Sequence, residues 1–217
     1  MKRVVTILTG FLAILCAASV EGQGTPPAQQ QPPTIASVMN GHLNIVEQEV
    51  VSAAEAMPED KYSFAPSNEF KGGEFKGVRT FAEEVKHIGF ANHLFFGPFA
   101  GENIDVKSLE QNTNGPANLK TKAEIVQYLK DSFTLAHRIV GELTPENAVT
   151  PVAKPVLPFL NTRLGIATLG CWHSMDHYGQ VVEYLRMNGI VPPASRPRPQ
   201  QQQQSQQQPP AQKPPEQ

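Results

Sequence analysis

The stretch "CWHSMDHYGQVVEYLRMNGIVPP", residues 171–193, places two histidines four positions apart in a segment with helical periodicity. On a helical wheel with about 100° per residue, His173 and His177 lie within about 40° of each other. The apolar side of the same helix faces the same way and includes Ile166, Val181 and Tyr184. We therefore expect both histidines to point into the protein interior.

Two imidazoles one helical turn apart in apolar surroundings suggest a ligand that binds both of them. A buried imidazole needs a partner for each polar ring nitrogen, and a polar atom left without one in an apolar environment is destabilising. A divalent metal ion would satisfy both rings at once. The spacing alone leaves open the alternative that two polar residues simply share a helix face.

The neighbouring residues narrow the kind of site. Ser174 stands where the zinc-protease pattern H-E-x-x-H requires a glutamate as the base, so that chemistry is excluded. Cys171 lies about 160° from His173 on the wheel, and we expect it to be a small, partly buried apolar residue. A third ligand has to come from another helix, and the candidates are His42, His87, His93 and His137. Because His137 has a boundary position on its helix, we expect a solvated or capping side chain there.

The segment around this stretch, residues 34–193, shows four runs with helical periodicity and no convincing strand pattern. In the first run, apolar residues recur mostly every three or four positions until Met57 precedes a proline. The second run opens with a capping box, in which Thr80 and Glu83 bond to each other's backbone. We expect this second helix to extend to about Phe96.

The third run repeats the capping box at Thr121–Glu124 and ends near Gly141. The fourth begins at residues 161–162 and ends at Asn188–Gly189, a pair suited to a helix C-terminus before two prolines. Four helices of this length predict an all-α protein, a four-helix bundle whose polar sites are built from inward-facing side chains. The long loop at 59–78 could cover one end of the core or line a site.

The chain begins with the features of a secretory signal peptide, which we assign to residues 1–22. Lys2 and Arg3 precede an apolar run at 4–20, and small residues close it. The run is too short for a convincing membrane span, which needs about 20 apolar residues. We therefore expect an exported protein, either periplasmic or secreted.

Removal of residues 1–22 leaves Cys171 as the only cysteine, so the mature chain cannot form an internal disulfide. Its stability must then come from packing or from a metal. The formal net charge moves from −2 to −3, because two basic residues and one acidic residue are lost. This mildly acidic balance gives no support to nucleic-acid binding.

Two segments made of Gln and Pro flank the predicted domain, at 23–33 and 194–217. Neither contains an apolar residue large enough to anchor a core, so we expect both to be disordered. We interpret them as solvated spacers that hold the domain away from an envelope or wall surface. A polyproline-like ligand for a partner protein is the alternative interpretation.

Two stretches together resemble the DinB/YfiT-like superfamily of four-helix bundles. They are "PEDKYSFAPSNEFKGGEFKGVRTFAEEVKHIGFANH" at 58–93 and "HSMDHYGQVVEYLRMNGIVPP" at 173–193. The shared features are a proline-bearing loop before helix two, a histidine within that helix, and H-x-x-x-H-x-G-Q followed by Y-L-R-x-x-G on helix four. The resemblance implies an up-down-down-up bundle that holds a divalent ion through three histidines, here His87, His173 and His177.

The resemblance also bears on function, because the superfamily includes thiol-dependent transferases and isomerases and metal-dependent hydrolases. A three-histidine site leaves coordination positions for water or substrate, as catalytic centres do, and imidazole ligands suit zinc, nickel or iron. We expect a metal-dependent hydrolase or transferase acting on a small molecule. Hydrolysis is the simplest chemistry, because export separates the chain from cytosolic thiols. A non-enzymatic metal- or ligand-binding envelope protein is the alternative.

Other residues could support such a site or an assembly. The candidates for hydrogen bonds behind the metal ligands are Asn92, Asp176, Gln180 and Tyr184, although the wheel turns Asp176 away from the histidines. The apolar stretch "HLFFGPFA" at 93–100 could form a contact in a homodimer. Packing of this stretch into the core is favoured over that contact.

Overall fold

The computed structural model describes residues 32–68, 74–103, 113–152 and 160–197. The predicted signal peptide at 1–22, the predicted spacer as far as residue 31, and the predicted tail beyond residue 197 lie outside these residues. All helices given below belong to the unit Pro33–Gln217.

The described residues form four α-helices: α1 at Ile35–Ala56, α2 at Phe81–Phe96, α3 at Lys122–Gly141 and α4 at Arg163–Met187. Short 3-10 helices lie at Glu59–Lys61, Pro66–Asn68, Gly97–Ala100 and Pro193–Ser195. The extended pairing seen in these ranges is one isolated bridge, between Pro151 and Thr162. The predicted all-α class is confirmed. Among the described helices, none is both long enough and apolar enough to cross a bilayer.

The helices begin where threonines cap their first turns. Thr80 accepts a hydrogen bond from the Glu83 backbone N–H at 3.3 Å, and the Glu83 carboxylate accepts from the Thr80 N–H at 2.8 Å. Thr121 makes the same reciprocal pair with Glu124. These side chains satisfy backbone donors that have no partner within the helix, so they fix the start of α2 and α3.

The helices form a four-membered ring in which α1 lies against α3 and α4, and α2 lies against the same two helices. α2 and α3 run in the same direction. Gly89 faces the Tyr128 ring, and one turn further along both helices Asn92 donates to the Ser132 hydroxyl at 3.1 Å.

α1 and α3 run in opposite directions. Lys122, at the start of α3, donates to the carbonyl oxygen of Met57 just after α1, at 2.8 Å. His137, near the end of α3, contacts Asn40 in the early part of α1. The end of one helix therefore meets the beginning of the other.

α2 and α4 are antiparallel as well. Glu84, in the first turn of α2, contacts His177 in the later part of α4. Phe96, at the end of α2, packs on Gly170 in the early part of α4, where a Cβ would come within 2.6 Å of the ring. Together with the other pairs, this gives the up-down-down-up order that the resemblance implies.

The interior of the bundle is filled by apolar side chains. The largest fully buried ones include Phe81, Phe96, Phe133, Leu43, Met57, Ile88, Ile125, Leu129 and Leu185. Phe95 is buried too, so the apolar stretch at 93–100 contributes to internal packing, as the sequence favours. Its use between two copies stays a prediction. Glu84 is buried as completely as these apolar side chains, and a buried carboxylate needs polar partners.

The described residues of the loop between α1 and α2 pack against the ends of these helices. Tyr62 donates from its hydroxyl to the Ala54 carbonyl at 2.7 Å, and its ring meets Phe81 edge-on at 5.1 Å between centroids. Phe64 accepts a backbone hydrogen bond from Phe81 at 2.8 Å. The described part of the loop therefore covers an end of the core and fixes where α2 begins.

Candidate metal centre

Three histidines from two antiparallel helices meet between α2 and α4. His87 comes from α2, and His173 and His177 come from α4. Their ring centroids lie 5.3 Å apart for His87 and His173, 4.4 Å for His87 and His177, and 4.7 Å for His173 and His177. One potential ligand atom of each residue lies within 4.8 Å of the others. The structure thus brings together the three histidines named from the sequence, here called the histidine cluster.

His87 is buried, and one of its ring nitrogens has a fixed role. Its Nδ1 lies 2.5 Å from the backbone carbonyl oxygen of Thr113. A carbonyl oxygen only accepts hydrogen bonds, so Nδ1 of the neutral ring carries the hydrogen and Nε2 keeps a free lone pair. This is the arrangement that orients a histidine as a metal ligand through Nε2.

His177 is held in the same manner by a carboxylate. Its Nδ1 donates to Oε2 of Glu84 at 2.8 Å, and Glu84 is almost completely buried at 1% exposure. The carboxylate acts as the acceptor for Nδ1, so Nε2 is the nitrogen of His177 that is left for a ligand. Pairs of this type, carboxylate to imidazole, commonly stand behind zinc-binding histidines and raise their basicity.

His173 is half-buried and differs from the other two. Its Nδ1 atom is fully buried, and no described residue forms a hydrogen bond with it. The Phe95 ring meets the imidazole edge-on at 5.3 Å, so the surroundings are partly apolar. A buried ring nitrogen without a partner is destabilising, and a ligand bound within the cluster would relieve that cost.

Burial also sets the charge state of the cluster. Desolvation lowers the pKa of His87 to about 4, although the hydrogen bond to Thr113 acts against the shift. Desolvation likewise lowers the pKa of His173 to about 4, and the adjacent His177 and His87 add to this effect. Both rings are therefore neutral at pH 7, which is the state in which an imidazole binds a metal ion.

Arg79, just before α2, connects the two groups that hold the imidazoles. Its Nη1 lies 3.6 Å from Oε1 of Glu84. Its Nη2 donates to the Thr113 hydroxyl at 2.9 Å, and its Nε donates to Oδ1 of Asn114 at 3.0 Å. One guanidinium thus fixes both the carboxylate behind His177 and the loop residue whose carbonyl faces His87.

The four residues expected behind the ligands have different roles in the structure. The Gln180 amide nitrogen lies 3.3 Å from Nδ1 of His177, and Tyr184 donates to the Arg79 carbonyl at 3.0 Å. Asn92 instead donates to Ser132, in the interface between α2 and α3. Asp176 is exposed, in line with its position on the wheel.

The remaining candidate histidines and the cysteine lie outside the cluster. His42 is exposed on α1. His93 contacts Glu102 at 3.1 Å and stacks on Tyr128. Cys171 is partly buried, as expected, and burial raises the pKa of its thiol. His137 is half-buried between α1 and α3, where it contacts Asn40 and Glu47.

Sequence reasoning missed Arg79, Glu84 and the Thr113 carbonyl. Glu84 could have been found, because it precedes His87 by one helical turn and therefore shares its face of α2. The Thr113 carbonyl had no such signal, since a backbone atom in a loop leaves no trace in residue type. The arrangement as a whole fits a divalent ion: three imidazoles lie close together, two of them are oriented by acceptors, and one has a buried nitrogen without a described partner.

Comparison with known proteins agrees with the helical bundle fold. A family model described as the DinB superfamily matches residues 42–181. The matched range covers most of the bundle and contains all three members of the histidine cluster. Among curated proteins, none shows a significant match to the chain.

Proposed function

The chain belongs to the DinB superfamily, and on this premise we propose that it binds one divalent metal ion through His87, His173 and His177. We further propose that the metal serves hydrolysis or group transfer on a small molecule. The observation that carries the proposal is the convergence of the three rings, whose candidate ligand atoms lie within 4.8 Å of one another. A divalent ion held by three imidazoles would keep positions open, polarise a substrate carbonyl and lower the pKa of water.

The protein's own residues support this function by orienting the ligands. The Thr113 carbonyl and the Glu84 carboxylate each accept a hydrogen bond from the Nδ1–H group of one imidazole, which leaves Nε2 for the metal. Arg79 holds both acceptors in place, as described above. His173 is half-buried, so the cluster remains reachable for a small substrate.

Zinc, nickel and iron all suit imidazole ligands. We favour hydrolysis over thiol transfer, because export would separate the chain from the small-molecule thiols of the cytosol. The alternative is a non-enzymatic protein that only holds a metal or ligand at the envelope. An assay for substrate turnover distinguishes the two functions.

Elemental analysis of the full chain, purified without a histidine tag, tests the metal site. We expect about one equivalent of metal per chain. His87→Ala and His177→Ala should lose it while circular dichroism shows that their helix content is kept. The matched control is His42→Ala, at an exposed position of α1, which should keep the metal.

Two results would contradict the metal site. One is metal retained in both cluster variants. The other is no metal in the wild type, even after incubation with zinc, nickel and ferrous ions.

For the reaction, a panel of small esters and amides is assayed with metal-loaded protein. Turnover lost in His177→Ala but kept in His42→Ala supports a hydrolase, whereas metal without turnover favours the binding alternative.

Export is a separate part of the proposal, supported by Lys2, Arg3 and the apolar run at 4–20. The full chain is expressed in a bacterium, and the mass of the product is measured in the periplasm, medium and cytosol. We expect a processed chain that starts near residue 23 outside the cytosol. An unprocessed chain that stays in the cytosol would contradict export and leave the metal proposal standing.

A further inference from the structure

The helix face that carries two of the histidines continues into a groove of about 490 Å³. Positions 173, 177, 180, 184 and 187 follow one another at spacings of three or four, so they share one stripe of α4. The first two carry members of the histidine cluster, and Gln180, Tyr184 and Met187 line the groove. The groove therefore begins where the cluster ends.

Contacts and size agree with this continuity. Gln180 belongs to both places, because it lines the groove and its amide nitrogen lies 3.3 Å from Nδ1 of His177. Beyond α4, the groove is lined by Pro66 and Phe75. Its volume falls in the range of about 300–1,000 Å³ that is typical of small-molecule sites. It therefore has the position and the dimensions of a substrate site.

Gly179 lines the same groove at an exposed position in the interior of α4. A glycine within a helix is less favourable than an alanine, because it loses more backbone freedom on folding. Close packing does not account for it, since a Cβ built there meets no described atom within 4 Å. The missing side chain leaves the helix surface open, as a ligand lying against the backbone requires.

The groove also has a charge preference. Asp176 and Glu183, both exposed, lie on one shoulder of the stripe and line the groove. Among the described residues, neither carboxylate has a cationic partner within salt-bridge distance. The Phe75 and Met187 side chains give the groove apolar surface at the same time. Negative charge without a described cationic partner, next to apolar surface, favours a ligand with the opposite charge and an apolar part.

We propose that this groove binds small molecules that carry a protonated amine next to an apolar group, and presents them to the histidine cluster. The second half of this statement rests on the proposed function, because it assigns the groove as the substrate site of the metal centre. The first half concerns the groove alone and holds for the protein with or without metal.

Fluorescence titration tests the groove. Trp172 is the only tryptophan of the chain, is 54% exposed and lies one turn before Asp176 on α4, so its emission reports on this face. The probes are 2-phenylethylammonium, the neutral 2-phenylethanol and the anionic 3-phenylpropionate. We expect the ammonium probe to bind about fivefold more tightly than the neutral one, and the anion to bind most weakly.

Two variants separate charge from shape. The double variant Asp176→Asn, Glu183→Gln should bind the ammonium and neutral probes equally. Gly179→Leu should abolish binding of every probe by filling the groove. Its matched control is Gly41→Leu on α1. A Cβ at this position also meets no described atom within 4 Å, but Gly41 does not line the groove. This control should bind all probes as the wild type does.

Each titration is done on metal-loaded and on chelator-treated protein, with metal content measured on the same samples. Ammonium binding in both forms supports the groove, whatever the metal content proves to be. Absence of metal with intact ammonium binding contradicts only the proposed function. Equal binding of all three probes by the wild type, preference for the anion, or ammonium binding that survives in Gly179→Leu would each overturn the inference.

Discussion

Two histidine-centred clusters lie on different sides of this bundle, and they differ in how many of their ring nitrogens have partners. Between α1 and α3, His137 contacts Asn40 through Nδ1 at 2.7 Å and Glu47 through Nε2 at 3.1 Å. These three residues are here called the His137 cluster. Both ring nitrogens of His137 have a polar partner, so the cluster joins two helices and has no ring nitrogen left for a ligand.

The histidine cluster between α2 and α4 is arranged differently. His87 and His177 each use one nitrogen on a fixed acceptor, and the buried Nδ1 of His173 has no described partner. The comparison teaches that residue type and burial do not identify a binding site. What distinguishes the histidine cluster is a set of ring nitrogens that lie close together and include one buried atom without a described partner.

The largest expected effect concerns stability with and without metal. A ligand present at 100 times its Kd stabilises the folded state by about 2.7 kcal/mol, which corresponds to a rise in Tm of about 5–10 °C for a chain of this size. We expect zinc or nickel to produce this rise in a thermal melt, and a chelator to reverse it. His137→Ala should keep the rise and His173→Ala should lose it. A rise in Tm that is lost in His137→Ala and kept in His173→Ala would place the metal in the His137 cluster instead.

A second prediction compares the carboxylates of the two clusters, Glu84 beside His177 and Glu47 beside His137. Glu84→Gln removes the charge that faces both His177 and Arg79, so metal affinity should fall about 10- to 100-fold. Glu47→Gln makes the same change in the His137 cluster and should leave the affinity unchanged. Competition with a fluorescent chelator measures both. Equal affinities of Glu84→Gln and the wild type would show that the carboxylate does not support the site.

A third prediction concerns acid and the metal-free protein. His87 and His173 have a pKa of about 4 when folded, against about 6.5 when unfolded. Between these values the unfolded state binds more protons, so protonation favours unfolding. The free energy of unfolding therefore has its full value, as far as these two rings are concerned, above about pH 6.5, and it decreases as the pH falls towards 4. Urea unfolding of chelator-treated protein at several pH values measures the loss.

His173→Gln sharpens this prediction, because other groups also titrate in acid. The variant removes one of the two rings with a lowered pKa, so its stability should fall less steeply between pH 6.5 and 4 than that of the wild type. Parallel curves for the two proteins would show that burial of this ring does not oppose its protonation.

Most of the fold could be predicted from the sequence, because the features that determine it are local. The threonine caps at Thr80 and Thr121 mark helix starts within one residue, and the apolar periodicity marks the inward faces. The direction of the helices came from the resemblance. The pairing of α2 with α4 depends on contacts between distant residues, such as Glu84 and His177, which are 93 positions apart, and one sequence gives no direct signal for them.

The three members of the histidine cluster could be named before the structure was known, but the groups that orient them could not. The spacing of His173 and His177 shows a shared face, and the resemblance supplied His87. The roles of Arg79 and Thr113 depend on where a loop lies against the start of α2, and no periodicity encodes that. His137 was expected to be solvated or a cap, whereas the structure places it in a bridge between two helices.

The smallest expected effect tests whether the His137 cluster is only structural. His137→Ala removes two side-chain hydrogen bonds from a half-buried position, and the net loss for a hydrogen bond is about 1 kcal/mol. Because Asn40 and Glu47 can turn to water, the free energy of unfolding should fall by about that amount for the whole cluster. Urea unfolding measures it, and metal content should stay at the wild-type level. A fall in metal content would show that the two clusters are coupled through α3, although no described contact joins them.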